Sequence, residues 1–157
     1  MATVRVTKIF RFEMAHALWG YDGLCKNIHG HSYVLKVTVS GTPISDESDQ
    51  KLGMVIDFGD LKRVVNKHIV DVFDHSLILN DKAPVDRFTD MEEMFDRKTW
   101  FYFQPTAENL VIHFAGILQE KLPAEIHLHS IRLYETVNSY AEWFAEDQIL
   151  SRVKAQG

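Results

Sequence analysis

The 157-residue sequence contains one cysteine, Cys25, so no intramolecular disulfide can form. Its thiol is left to act as ligand, nucleophile, base or inert filler. A lone cysteine suits a reducing compartment and leads us to expect a cytoplasmic protein. There is no basic excess either. Lys and Arg number 17 against 22 Asp and Glu, a net charge of -5, which argues against a broad nucleic-acid-binding face. A small basic pocket for a phosphorylated ligand stays open. No apolar run is long enough to cross a membrane. The stretch from Met1 to Phe12 is interrupted by Arg5, Lys8 and Arg11, so it lacks the apolar core of a signal peptide. Internal repeats and low-complexity tracts are absent. The length allows one domain with a real core, spanning residues 1–157, and is too short for two.

What is present is a clear change of period along the chain. From Thr3 to Ala17 the pattern alternates, with Val4, Val6, Phe10, Phe12, Met14 and His16 on one face. Lys8 interrupts that face and predicts a bend or bulge. A loop from Leu18 to Ile28 leads into a second strand, His29 to Ser40, and the stretch from Gly41 to Gly53 reads as a polar loop. Asp57 or Asp60 can cap a helix whose apolar stripe is Leu61, Val64, Val65, Ile69, Val72 and Phe73. Asp74-His75 ends it. Asn80 to Lys98 is charged and aperiodic, and Thr99 to Phe103 is aromatic enough for a short strand. Thr106 predicts the N-cap of a second helix, with Glu108 favourable to its dipole and Pro123 as its stop. Strands from Ile126 to Thr136 and Tyr140 to Ala145 close the chain. The order predicts an α+β fold, an antiparallel four-stranded sheet with two helices on one face.

The chemistry gathers at Cys25-Lys26-Asn27-Ile28-His29-Gly30-His31. His29 and His31 are two apart at the head of a strand, so both imidazoles point the same way. Gly30 between them leaves the other face bare. If the first two strands pair as a hairpin, His16 joins them, and three imidazoles converge at one end of one sheet face. Neutral imidazole is a favoured zinc ligand.

In this order the motifs resemble the tetrahydropterin synthase family, and within it the bacterial carboxy-forming branch of the queuosine (7-deazaguanine) pathway. The motifs are Phe12-x-x-x-His16, Cys25-x-x-x-His29-Gly30-His31, Asp74-His75, Pro105-Thr106-Ala107-Glu108-Asn109 and Glu135-Thr136. The three-residue gap between Cys25 and His29 is similar to the carboxy-forming branch; the pyruvoyl-forming branch typically has a longer one. Residues 81–104 depart from the shorter bacterial members and read as an insertion, which contains Arg87 and Arg97.

The resemblance implies a tunnelling fold, in which trimers close their sheets into an oligomeric barrel and two trimers stack into a hexamer. It also implies active sites at subunit interfaces. The family substrate is a pterin, 7,8-dihydroneopterin triphosphate, from which the carboxy-forming branch eliminates triphosphate and releases acetaldehyde. His16, His29 and His31 would hold zinc with one position left open.

The same resemblance makes Cys25 the general base, helped to ionise by His75, which Asp74 orients. Glu135 would anchor the pterin ring, with Thr106 and Glu108 as further substrate contacts. Each has a plainer explanation: Asp74-His75 as a helix end, Glu135 as an exposed strand residue, Thr106 and Glu108 as helix capping. His68, His113, His127 and His129 read as structural or surface residues. A non-catalytic domain, stabilised by zinc on Cys25 and the three histidines, is the alternative to an enzyme.

Overall fold

The computed structural model describes residues 2–84, 93–94 and 96–149. Alternation dictates the first two elements. Strands β1 (Val4–His16) and β2 (His29–Gly41) form a 13-residue antiparallel ladder from Val4↔Gly41 to His16↔His29. Phe10, Phe12 and Met14 of β1 are buried beside Tyr33, Leu35 and Val37 of β2, and fully burying each such side chain contributes about 1.5–3 kcal/mol. No bend occurs at Lys8, which pairs in register with Val37. Its amine instead reaches over the Phe58 ring, 5.6 Å from the centroid. The stem lies along the apolar face while the charge leaves it.

Helix α1 (Phe58–Val65) is capped by Asp57, whose carboxylate accepts from the Gly59 and Asp60 amides at 2.6 and 3.3 Å. Asp60 lies inside the first turn. The helical path continues through a π turn, Asn66–Val70, into the short α2, Asp71–Phe73. Helix α3 (Ala107–Lys121) starts where Thr106 Oγ1 accepts from the Asn109 amide and ends just before Pro123. Leu61, Ile69, Phe73, Leu110 and Phe114 pack against the β1–β2 face and complete the core.

The expectation of four antiparallel strands is corrected here. The sheet has six strands in the order β4-β3-β1-β2-β5-β6 and is mixed. Strands β5 (His127–Tyr134) and β6 (Tyr140–Phe144) form the expected closing hairpin. Strand β3 (Ser76–Asn80) runs parallel to β1, and β4 (Lys98–Phe101) runs parallel to β3. All five residues of β3 are buried, polar Ser76 and Asn80 as well as Leu77, Ile78 and Leu79, so the strand carries no alternation. β4 extends the sheet from within the segment read as an insertion; Arg87 lies outside the described residues. Among the described residues, no helix is long and apolar enough to cross a membrane.

Candidate active site

The β1–β2 register builds a histidine cluster. His16 and His29 are direct cross-strand partners, and His31 lies opposite Met14, two residues further along the same face. Their ligand atoms lie within 4.8 Å of one another, the one group of three or more potential metal-binding side chains among the described residues. Backbone carbonyls fix two of the tautomers. His16 Nδ1 donates to Pro105 O at 2.7 Å, and His29 Nδ1 donates to Asn27 O at 2.7 Å. A carbonyl only accepts, so the proton of each neutral ring is on Nδ1 and the lone pair is on Nε2.

The two Nε2 atoms face each other at 3.1 Å. Lone pairs at that distance repel unless an electrophile lies between them. Tetrahedral zinc with Zn–N bonds of about 2.0–2.1 Å holds its nitrogens roughly 3.3 Å apart, close to what is seen. His31 Nε2 is buried without a hydrogen-bond partner. Burial holds the basicity of His16 and His31 below the ordinary histidine value, which favours the neutral, ligating form. The donor set therefore fits a metal ion.

Beside the triad opens a cleft of about 290 Å³, lined by His16, Cys25, Thr106, Glu108 and Glu135 among others. Cys25 is exposed on a 3-10 turn, Leu24–Lys26, and the Leu18 amide bonds its carbonyl at 2.9 Å. That bond folds the loop back onto the end of β1. Cys25 is not part of the metal-ligand cluster. Glu135 lies one residue beyond β5 rather than within a strand, with its amide bonded to Ser139 O at 3.1 Å. Its Oε1 is 3.4 Å from His16 Nε2 and 3.8 Å from His31 Nε2. Thr106 and Glu108 thus line the cleft as well as starting α3.

Asp74 and His75 lie elsewhere. Asp74 Oδ1 accepts from the Glu13 amide at 2.8 Å, and its Oδ2 accepts from His75 Nδ1 at 2.8 Å. The Glu13 amide, then the His75 ring, hold the Asp74 carboxyl below the usual carboxylate range. His75 is exposed and has φ 57°, a left-handed conformation rare outside glycine, pinned by its amide bond to Glu13 O. It lines a different cleft, of about 440 Å³, with Glu13, Gly30, Ser32 and Arg97. Within one chain, Cys25 and His75 do not share a cleft.

A family model for 6-pyruvoyl tetrahydropterin synthase matches residues 5–146. The chain belongs to this family.

Among its relatives, the 6-carboxy-5,6,7,8-tetrahydropterin synthase of Haemophilus influenzae is 38% identical over 141 residues, 88% of this chain and 97% of that one. The Rickettsia typhi protein of the same name is 35% identical, covering 88% and 99%. That of Aquifex aeolicus is 31% identical, covering 90% and 98%. Solved structures share the fold. An uncharacterized protein from Wolinella succinogenes superposes with a TM-score of 0.77 at 19% identity, covering 92% of this chain and 99% of that one. The 6-pyruvoyl tetrahydropterin synthase of Caenorhabditis elegans gives 0.64 at 24% identity, covering 92% and 97%. The mixed sheet with helices on one face fits the tunnelling fold of the family.

Among the described residues, no other histidine joins the metal-ligand cluster. His113 packs among Phe73, Phe101, Phe103 and Phe114, with its ring 4.8 Å from that of Phe101. His127 is exposed, and His129 lies 4.0 Å from Glu146. Arg97 donates to the Asp71 and Val72 carbonyls and ties down the end of α2. Tyr33 was missed by the sequence reading. It is fully buried beneath the imidazoles with its hydroxyl directed at Glu135. Its place two residues after His31, on the same strand face, was the available signal.

Proposed function

We propose that this chain is a zinc-dependent 6-carboxytetrahydropterin synthase. It converts 7,8-dihydroneopterin triphosphate and one water to 6-carboxytetrahydropterin with release of acetaldehyde and triphosphate, a lyase step of queuosine biosynthesis in the cytoplasm. One observation supports this above the rest. Three imidazoles, two with tautomers fixed for ligation, open beside a cleft holding a free thiol and a carboxylate. The relatives named for this activity give the product class, and the Cys25 to His29 spacing agrees with them.

His16, His29 and His31 would hold the metal. When bound, it supplies Lewis-acid polarisation of the hydroxyl groups on the substrate side chain. Cys25 is the base that takes the proton from the adjacent carbon. Glu135 accepts hydrogen bonds from the amino and ring N–H groups of the pterin, with Thr106 and Glu108 seating the ring from the start of α3.

The separation of Cys25 from His75 within one chain supports an oligomer. In a barrel of trimers, single or stacked in pairs, His75 of the partner subunit, oriented by its own carboxylate neighbour, would complete the Cys25 site. The exposed left-handed His75 suits such a role better than a buried helix end does.

Incubating the metal-loaded protein with 7,8-dihydroneopterin triphosphate and weighing the released pterin by mass spectrometry tests the reading. The 6-carboxy product with acetaldehyde is expected. A 6-pyruvoyl product would move the chain to the other branch. Unchanged substrate would overturn the enzymatic assignment in favour of a structural metal domain.

A further inference from the structure

We propose that Tyr33 is a positioning residue that holds the Glu135 carboxylate for the pterin ring. This rests on the assignment of Glu135 as the pterin anchor. Glu135 Oε1 is near three polar atoms, His16 Nε2 at 3.4 Å, His31 Nε2 at 3.8 Å and the Tyr33 hydroxyl at 3.4 Å. The first of these cannot donate. Neutral His16 places its hydrogen on Nδ1, which is given to Pro105, so its Nε2 presents a lone pair to a carboxylate that is itself all acceptor. His31 Nε2, at 3.8 Å, is beyond hydrogen-bond distance of the carboxylate, and the residue belongs to the metal-ligand cluster. The Tyr33 hydroxyl is the donor left to orient Oε1.

The phenol is built to hold still. Its ring is fully buried, stacked on Phe12 with centroids 5.5 Å apart and planes inclined by 13°. The His16 and His31 rings meet it edge-on at 6.2 and 5.6 Å. A ring with two torsions, packed on three sides, loses little further freedom when its hydroxyl engages. A carboxylate has about four acceptor directions. With one taken by Tyr33, the others stay free for the paired N–H donors on the edge of a pterin. The same hydroxyl ties that carboxylate to β2, the strand that also supplies His29 and His31, so ring and side chain of the substrate are gauged from one rigid element.

The test is a double-mutant cycle read by binding. Unsubstituted pterin, which has neither side chain nor phosphate, is titrated into metal-loaded wild type, Tyr33→Phe, Glu135→Gln and the double variant, with metal content and thermal midpoint measured for each. Phe keeps the stacked ring and removes only the hydroxyl.

Tyr33→Phe should weaken pterin binding about tenfold at unchanged metal content, in keeping with a hydrogen bond to a charged group. In the Glu135→Gln background the same change should add less than about twofold, since the carboxylate it serves is gone. Equal affinity in wild type and Tyr33→Phe, or losses that multiply in the double variant, would overturn the proposal. So would loss of metal or fold in Tyr33→Phe, because the hydroxyl would then serve the cluster or core. If Glu135→Gln binds pterin as wild type does, the anchor assignment itself fails. If Glu135→Gln weakens binding and Tyr33→Phe does not, only the role of Tyr33 fails.

Discussion

Replacing His29 by alanine is the sharpest perturbation of the site. The ring contributes one Nε2, 3.1 Å from that of His16, and its loss leaves His16 and His31 with the Glu135 carboxylate 3.4 and 3.8 Å away. Two imidazoles and a carboxylate can still hold a metal weakly. Disturbing an outer-sphere partner of a metal ligand already costs about 10–100-fold in affinity, so deleting the ligand should cost more than about 100-fold. Metal binding is linked to stability, and a metal present at about 100 times its Kd stabilises the fold by about 2.7 kcal/mol. At about 2–4 °C per kcal/mol for a domain of this size, that is a rise in Tm of about 5–11 °C. Wild type should show this rise between chelator-treated and zinc-loaded samples. His29→Ala should lose it at the same zinc concentration and retain little zinc after a mild chelator wash. Stoichiometric zinc in the washed variant, with an undiminished rise in Tm, would refute the ligand assignment.

Three further outcomes are expected. Cys25→Ala should keep zinc, since the thiol is outside the ligand cluster, and lose about 10²–10⁴-fold in turnover; loss of zinc, or a thiolate charge-transfer band in the cobalt-substituted wild type, would instead point to a closed structural site. Asp74→Asn should lower kcat about 10–100-fold at unchanged zinc content, the worth of a charge-assisted hydrogen bond to His75; unchanged kcat would return the pair to the role of a helix end. Burial holds His113 below its unfolded pKa of 6.5, so the unfolded chain binds the extra proton first and stability falls as pH drops from about 6.5 towards the depressed folded value. Metal-free His113→Leu should therefore lose less stability than metal-free wild type between about pH 7.5 and about pH 5 in urea titrations, and parallel curves would reject the burial argument.

Much of this was legible in the sequence because period reports face. Phe10, Phe12, Met14 and His16 alternate with Arg11, Glu13 and Ala15, and the strand they predict runs from Val4 to His16. The caps at Asp57 and Thr106 follow from side chains that can reach the free amides of the first turn. Strand β3 was not legible. Ser76-Leu77-Ile78-Leu79-Asn80 is covered on both sides, so it carries no alternation, and it pairs in parallel with a strand 62 residues earlier, with Met14 opposite Ser76. Nor does any periodicity announce the π turn at Asn66–Val70, which lets the helix end against Glu13. Recognisable blocks of sequence drew Cys25 and His75 together. The chain sets them in separate clefts, because Asp74 docks on the backbone of Glu13, whose side chain faces away from His16.

The histidine cluster owes its geometry to packing some distance away. Side chains on a strand alternate with a period of two, so a slip of one residue between β1 and β2 would turn every imidazole of one strand to the opposite face. What forbids the slip is the core. Phe12 opposite Tyr33 and Phe10 opposite Leu35 are buried pairs on the same face as the histidines, and the same slip would force one member of each off the core face. Exposing those two side chains costs about 3–6 kcal/mol at about 1.5–3 kcal/mol each. His16 and His29 are therefore opposite one another because the aromatic residues behind them are. The two loop-borne groups need separate ties, and both have them: Cys25 through its carbonyl to the Leu18 amide, Glu135 through its amide to Ser139 and its carboxylate to Tyr33. Imidazoles on the rigid ladder, with the thiol and carboxylate on tethered loops, match what the proposed reaction needs: fixed geometry for a metal and room to admit a substrate.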